Sequence, residues 1–131
     1  MKVVNDFPPN IAAIREAFPL SGYEIFAYGD TIFSPKSTFL APELIVHEEV
    51  HREQQGDDVE GWWDRYLVDK DFRASQELEA HIAEWLNLKS RIKDRNERVK
   101  ACAHVARKLA APLYGKVFSY RNAMDHLRNQ K

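Results

Sequence analysis

A chain of 131 residues with 44% apolar and 30% charged side chains has the balance of one ordinary globular domain, 1–131, with enough material for a core. Its formal net charge of -1 offers no electrostatic footprint for nucleic acid or membrane, and no apolar run is long enough to span a bilayer. The single cysteine, Cys102, rules out an internal disulfide and any zinc site built on two or more cysteines. Residues 1–6 (MKVVND) lack an apolar signal-peptide core, so a cytoplasmic protein is the expectation.

In chain order, Pro8-Pro9 opens a short predicted helix with Ile11, Ile14 and Phe18 on one side and Pro19 past its end. Residues 22–34 read as a hairpin whose β-rich runs, 23–28 and 31–33, flank Gly29-Asp30. Pro35 interrupts the pattern, and 37–40 reads as a further short strand at a sheet edge. Pro42 suits the first position of a helix that Gly56 stops, with apolar surface from Leu44, Ile45, Val46 and Val50. From Asp57 to Asp69 turn signals dominate, so this stretch reads as a loop with one helical turn, carrying Trp62, Trp63 and Tyr66. Phe72, Leu78, Ile82, Trp85 and Ile92 recur at helical spacing and predict a long helix over 71–93. Another helix covers 96–111 and stops before Pro112, and Ser119 is a good N-cap for a last one carrying Ala123, Met124 and Leu127. Helix, strands, then helices is an α+β order.

The chemistry concentrates in His47-Glu48-Glu49-Val50-His51, an HExxH segment. Residues four apart share one helix face, so both imidazoles can reach one ion, while Glu48 sits about a quarter turn away and can act on a metal-bound water without ligating the metal. A catalytic zinc site takes three protein ligands and keeps a fourth position open. The residues alone leave three candidates for the third ligand: Glu77, Glu79 and Asp57. Plainer readings exist for many of these side chains. Glu77 and Glu79 could be an exposed acidic run, with His81 pairing to Glu77 four residues back. His104 and His126 read as surface or packing histidines, and Trp62 and Trp63 as core caps or cleft lining.

With its HExxH helix followed by Glu77-Leu78-Glu79-Ala80 on a second helix, the chain resembles the gluzincin group of zinc metallopeptidases over about residues 22–92. In that group the second helix carries a glutamate ligand in an E-x-x-(small)-(Asp/Asn) pattern. The resemblance implies one zinc ion held by His47, His51 and Glu77, Glu48 as general base, and Ala80 as the small residue. His81 stands where a polar residue usually orients the first histidine, a departure from the pattern. The metzincin pattern fails, because Gln54 replaces its glycine.

The implied fold is zincin-like: a small antiparallel sheet or hairpin before the metal helix, then a helical C-terminal part. The implied function is zinc-dependent hydrolysis of a peptide or protein substrate, whose backbone would pair with an edge strand within 31–40. An oxyanion donor is also needed, and Tyr66, Tyr114 and Tyr120 are candidates. The tail, with Leu113-Tyr114-Gly115 and Ser119-Tyr120, resembles small metallopeptidase-like proteins of bacteriophages and prophages. The alternative is a non-catalytic zincin-like module for binding or assembly, for example phage-related.

Overall fold

The computed structural model describes residues 1–36 and 39–130. Among these it has six α-helices, one short 3-10 turn and a small three-stranded sheet, an α+β arrangement. None of its helices is long and apolar enough to cross a membrane.

Helix α1 (Ile11–Ala17) follows Pro8-Pro9 as expected and buries Ile14. Strands β2 (Phe26–Tyr28) and β3 (Thr31–Phe33) pair antiparallel about Gly29-Asp30, with Tyr28 opposite Thr31 and Phe26 opposite Phe33. Gly29 has φ +60°, a conformation tight hairpin turns require and glycine adopts without strain. A third strand, β1 (Lys2–Val4), joins β3 on its other side in parallel, so the order is β1-β3-β2 and the sheet is mixed. This corrects two expectations. The sheet is not purely antiparallel, and β3, the strand before the HExxH helix, is central rather than an edge. Of the strand expected over 37–40, Ser37 and Thr38 lie outside the described residues, and Phe39 and Leu40 belong to no strand.

Helix α2 (Pro42–Gln55) starts with Pro42 in its first turn and ends at Gly56, whose φ of 53° closes the helix with a bond from its N–H to the Arg52 carbonyl. Its fully buried positions are all polar. His47, Glu48, His51 and Gln55 are buried, whereas Leu44, Ile45, Val46 and Val50 are only partly covered. Gln55 ties the helix to the hairpin, since its side-chain amide donates to the Ala27 carbonyl at 2.8 Å and accepts from the Gly29 N–H at 2.8 Å.

The stretch expected to be a loop is mostly helix: α3 spans Val59–Val68. Its turn-like residues make the cap. Asp58 accepts the Gly61 N–H at 2.9 Å, and a side chain at 61 would collide with that same carboxylate. Trp62, Trp63 and Tyr66 then fall at helical spacing and are buried.

Helix α4 (Lys70–Arg91) is capped by Asp69, which accepts the Phe72 N–H at 3.0 Å. It packs along α2 and turns a buried stripe of Arg73, Glu77, Ala80, His81 and Glu84 inward. Helix α5 (Arg95–Leu109) is capped by Asp94, and α6 (Tyr120–Arg128) by Ser119 as expected; the 3-10 turn Pro112–Tyr114 lies between them. Two apolar clusters flank the α2–α4 pair. One joins Ile14, Phe26, Trp62, Trp63 and Tyr66; the other joins Trp85 with the inner faces of α5 and α6, including Val105, Leu109 and Leu127.

Candidate metal centre

The α2 and α4 stripes meet in a cluster of buried polar side chains. His47 and His51 stand one helical turn apart, their ring centroids 4.9 Å from each other. Glu77 reaches between them from α4: His47 Nε2 lies 3.2 Å from its Oε1, and His51 Nε2 lies 3.2 Å from its Oε2. Two metal bonds of about 2.0 Å at a tetrahedral angle would put ligand atoms roughly 3.3 Å apart, so this spacing suits a shared ion. Glu77 Oε1 is buried and, despite the nearby His47, has no partner in hydrogen-bond geometry among the described residues. A buried acceptor of this kind beside two ring nitrogens fits a cation ligand. These three residues could hold a metal ion.

The ring tautomers agree. His47 Nδ1 lies 2.9 Å from Glu84 Oε1, and a carboxylate can only accept, so Nδ1 carries the hydrogen and a neutral ring offers its Nε2 lone pair. His51 does the same with Gln54 Oε1 at 2.8 Å, and Gln54 is itself held by the Gln76 carbonyl at 3.0 Å. Glu77 is steadied by Tyr66, whose hydroxyl donates to Oε2 at 2.5 Å. Ligand rings and carboxylates held by outer hydrogen bonds in this way are typical of metal sites.

Charge matters as much as geometry. Glu48, Glu77 and Glu84 are all buried, and Lys108 from α5 is bonded to Glu84. With both imidazoles neutral, the three carboxylates and one lysine leave two negative charges uncompensated, the charge a divalent ion supplies. Without an ion, protons fill the need. Burial alone would lower the His47 pKa, but the carboxylates of Glu77, Glu84 and Glu48 outweigh it and raise it to about 10. His51 is raised for similar reasons, against burial and mainly by Glu77. Burial would raise Glu77, yet the two histidines hold it well below the usual carboxylate range. Glu84 is likewise drawn down to about 2: burial opposes this, and His47 and Lys108 prevail. Burial pushes Glu48 up, with the histidines pulling the other way. Its Oε2 lies 3.7 Å from His47 Nε2, beside the three converging atoms but outside their set.

Of the expected residues, the fold thus brings together His47, His51, Glu77 and Glu48. It does not bring in Glu79 or Asp57, both exposed; Glu79 accepts from Gln54 Nε2 at 3.3 Å. The three tyrosines part company. Tyr66 is committed to Glu77, and Tyr120 sits 44% exposed on α6. Tyr114 packs edge-on against His81, ring centroids 5.4 Å apart, and lines a cavity of about 440 Å³ with the cluster, Phe26, Leu40 and Leu44. Burial and the Glu77 charge raise both Tyr66 and Tyr114 well above the ordinary phenol value, so each keeps its proton as a donor.

His81 packs edge-on against His47, ring centroids 4.6 Å apart, and its hydrogen bond goes elsewhere. Its Nδ1 donates to the Glu77 backbone carbonyl at 2.7 Å, its Nε2 is buried without a partner among the described residues, and burial lowers its pKa to about 4. The orienting contact comes from Glu84, one turn further on. Reading the residues alone missed Glu84, Gln54 and Lys108. Glu84 has a readable signal, seven residues or two turns beyond Glu77 on one face. Lys108 has none, because it arrives from another helix.

Compared with family models, with curated proteins and with solved structures, the chain matches none.

Proposed function

We propose that this chain is a zinc-dependent peptidase with a zincin-like fold, holding one ion through His47, His51 and Glu77 and using Glu48 as general base. One observation carries the reading: two Nε2 atoms, each 3.2 Å from the Glu77 carboxylate, beside a buried glutamate at the wall of a cavity. The order of hairpin, HExxH helix and glutamate-bearing helix supports the fold assignment. A bound zinc ion would lower the pKa of a coordinated water to about 7 and polarise the substrate carbonyl.

The chain's own residues supply the rest. Glu48 takes a proton from the attacking water and returns it to the leaving nitrogen. Burial raises its pKa, which makes it a stronger base than an exposed carboxylate. Tyr114, kept protonated, donates a hydrogen bond to the carbonyl oxygen as negative charge develops there. The sheet edge beside the cavity is β2. Its Ala27 carbonyl is already taken by Gln55 and by Trp63 Nε1 at 3.1 Å, and Phe26 pairs with Phe33, which leaves Glu24 and Ile25, just before the strand, as the stretch a substrate backbone would meet.

The test is Glu48→Gln, assayed for zinc content and for cleavage of a random peptide library. The expected result is unchanged zinc and hydrolysis reduced by roughly 10²–10⁴-fold. Hydrolysis at the wild-type rate in a clean preparation of that variant contradicts the mechanism. A zinc-loaded wild type that cleaves nothing in the library favours the binding-module alternative.

A further inference from the structure

The link from the cluster to α5 gives the metal-centre reading an added part. Lys108 Nζ donates to Glu84 Oε2, while Glu84 Oε1 accepts from His47 Nδ1 at 2.9 Å. The Glu84 side chain is 1% exposed and that of Lys108 32%, so the ammonium reaches in from the cavity rim to a carboxylate that water does not reach. A buried carboxylate without a cationic partner is costly. Once His47 is neutral, as a metal ligand must be, Lys108 is the only cationic side chain bonded to Glu84 among the described residues.

We propose that Lys108 is a positioning residue for the metal centre. By holding Oε2 it turns Oε1 of Glu84 toward His47 Nδ1, and so keeps His47 Nε2 aimed at the ion. The proposal rests on the metal reading above and gives the C-terminal helices a role in it. A carboxylate two turns beyond Glu77 does the orienting here, and it needs an anchor on its far side. The α5 lysine is that anchor, which couples the docking of α5 to the geometry of a ligand on α2. A plain stabilising ion pair is the rival role, and it makes a different forecast: loss of stability with no change in metal affinity.

The experiment compares the full-length chain with Lys108→Met and Lys108→Arg. Zinc affinity is read by competition with a chromophoric chelator, and the folding of the metal-free proteins by circular dichroism and thermal unfolding. Lys108→Met is expected to stay folded and to bind zinc about 10–100-fold more weakly, the usual cost of losing an outer partner. Lys108→Arg keeps the charge and should recover most of that loss. In a Glu84→Gln background, Lys108→Met should add no further weakening, because the residue acts through Glu84. Should Lys108→Met fail to fold, Lys108→Gln, an uncharged polar side chain of similar length, is read in the same way. Zinc affinity equal to wild type in the folded variant overturns the proposal, whatever happens to its melting temperature. A wild type that takes up no zinc overturns the proposed function as well, so the two failures are distinct.

Discussion

Helix α4 takes part in two kinds of interior. Toward its C-terminal end, Trp85 joins Cys102, Val105, Ala106, Leu109, Ala123, Met124 and Leu127, an apolar cluster shared with α5 and α6. Along the face that meets α2, it buries Glu77, His81 and Glu84 against His47, Glu48 and His51. The first interior stabilises in proportion to the area removed from water, at about 25 cal/mol per Å². The second must first offset the desolvation of charged groups, and recovers that cost only through partners at the right distances. A fold selected for stability alone gains little from such an interface, so its presence points to a task. The apolar cluster holds the helices in place, and the polar one depends on that placement.

Substitutions on each side should separate the two roles. Leu127→Ala, at a fully buried position, is expected to cost roughly 2–5 kcal/mol in denaturant unfolding while the folded fraction still binds one zinc ion per chain. Tyr66→Phe removes the hydroxyl that donates to Glu77 Oε2 and should weaken zinc binding by about 10–100-fold, with a smaller loss of stability.

The two interiors should also answer differently to pH. The His47 pKa is raised from 6.5 to about 10 in the metal-free chain, so its stabilising contribution is full below pH 6.5 and is lost as pH climbs through 10. Zinc must displace that proton, so its apparent affinity should rise by about tenfold per pH unit across the same window for each proton released. Titration calorimetry in buffers of different ionisation enthalpy should therefore record proton release on zinc binding at pH 7. Affinity that stays flat between pH 6.5 and 9 would count against the protonated cluster. The smallest effect belongs to Arg52→Ala. Its partner Asp30 is 2.9 Å away, but both side chains are more than half exposed, so stability should move by less than about 1 kcal/mol and zinc binding not at all.

These contrasts also explain which parts of the molecule could be read from the chain. HExxH is legible because residues four apart on a helix must share a face, and Pro42 and Gly56 bound that helix. Glu77 is different: the residues alone left Glu79 and Asp57 open, and only resemblance to gluzincins favoured it. Helix α3 was obscured because Asp58 and Gly61 look like turn residues, although together they build its N-cap. Strand β1 is three residues long and pairs with β3 beyond α1, so no local pattern announces it. On α2 the apolar residues Leu44, Ile45, Val46 and Val50 are only partly covered. The buried face carries His47, His51 and Gln55 at four-residue steps, where specific partners outweigh hydropathy.

Metal content, by elemental analysis after dialysis against dilute zinc, tests the centre most directly when wild type, Glu77→Ala and Glu79→Ala are measured together. One zinc ion per chain is expected in wild type and Glu79→Ala, and a large loss in Glu77→Ala. Wild type without zinc, or Glu77→Ala retaining a full equivalent, would contradict the convergence of His47, His51 and Glu77 on a single ion.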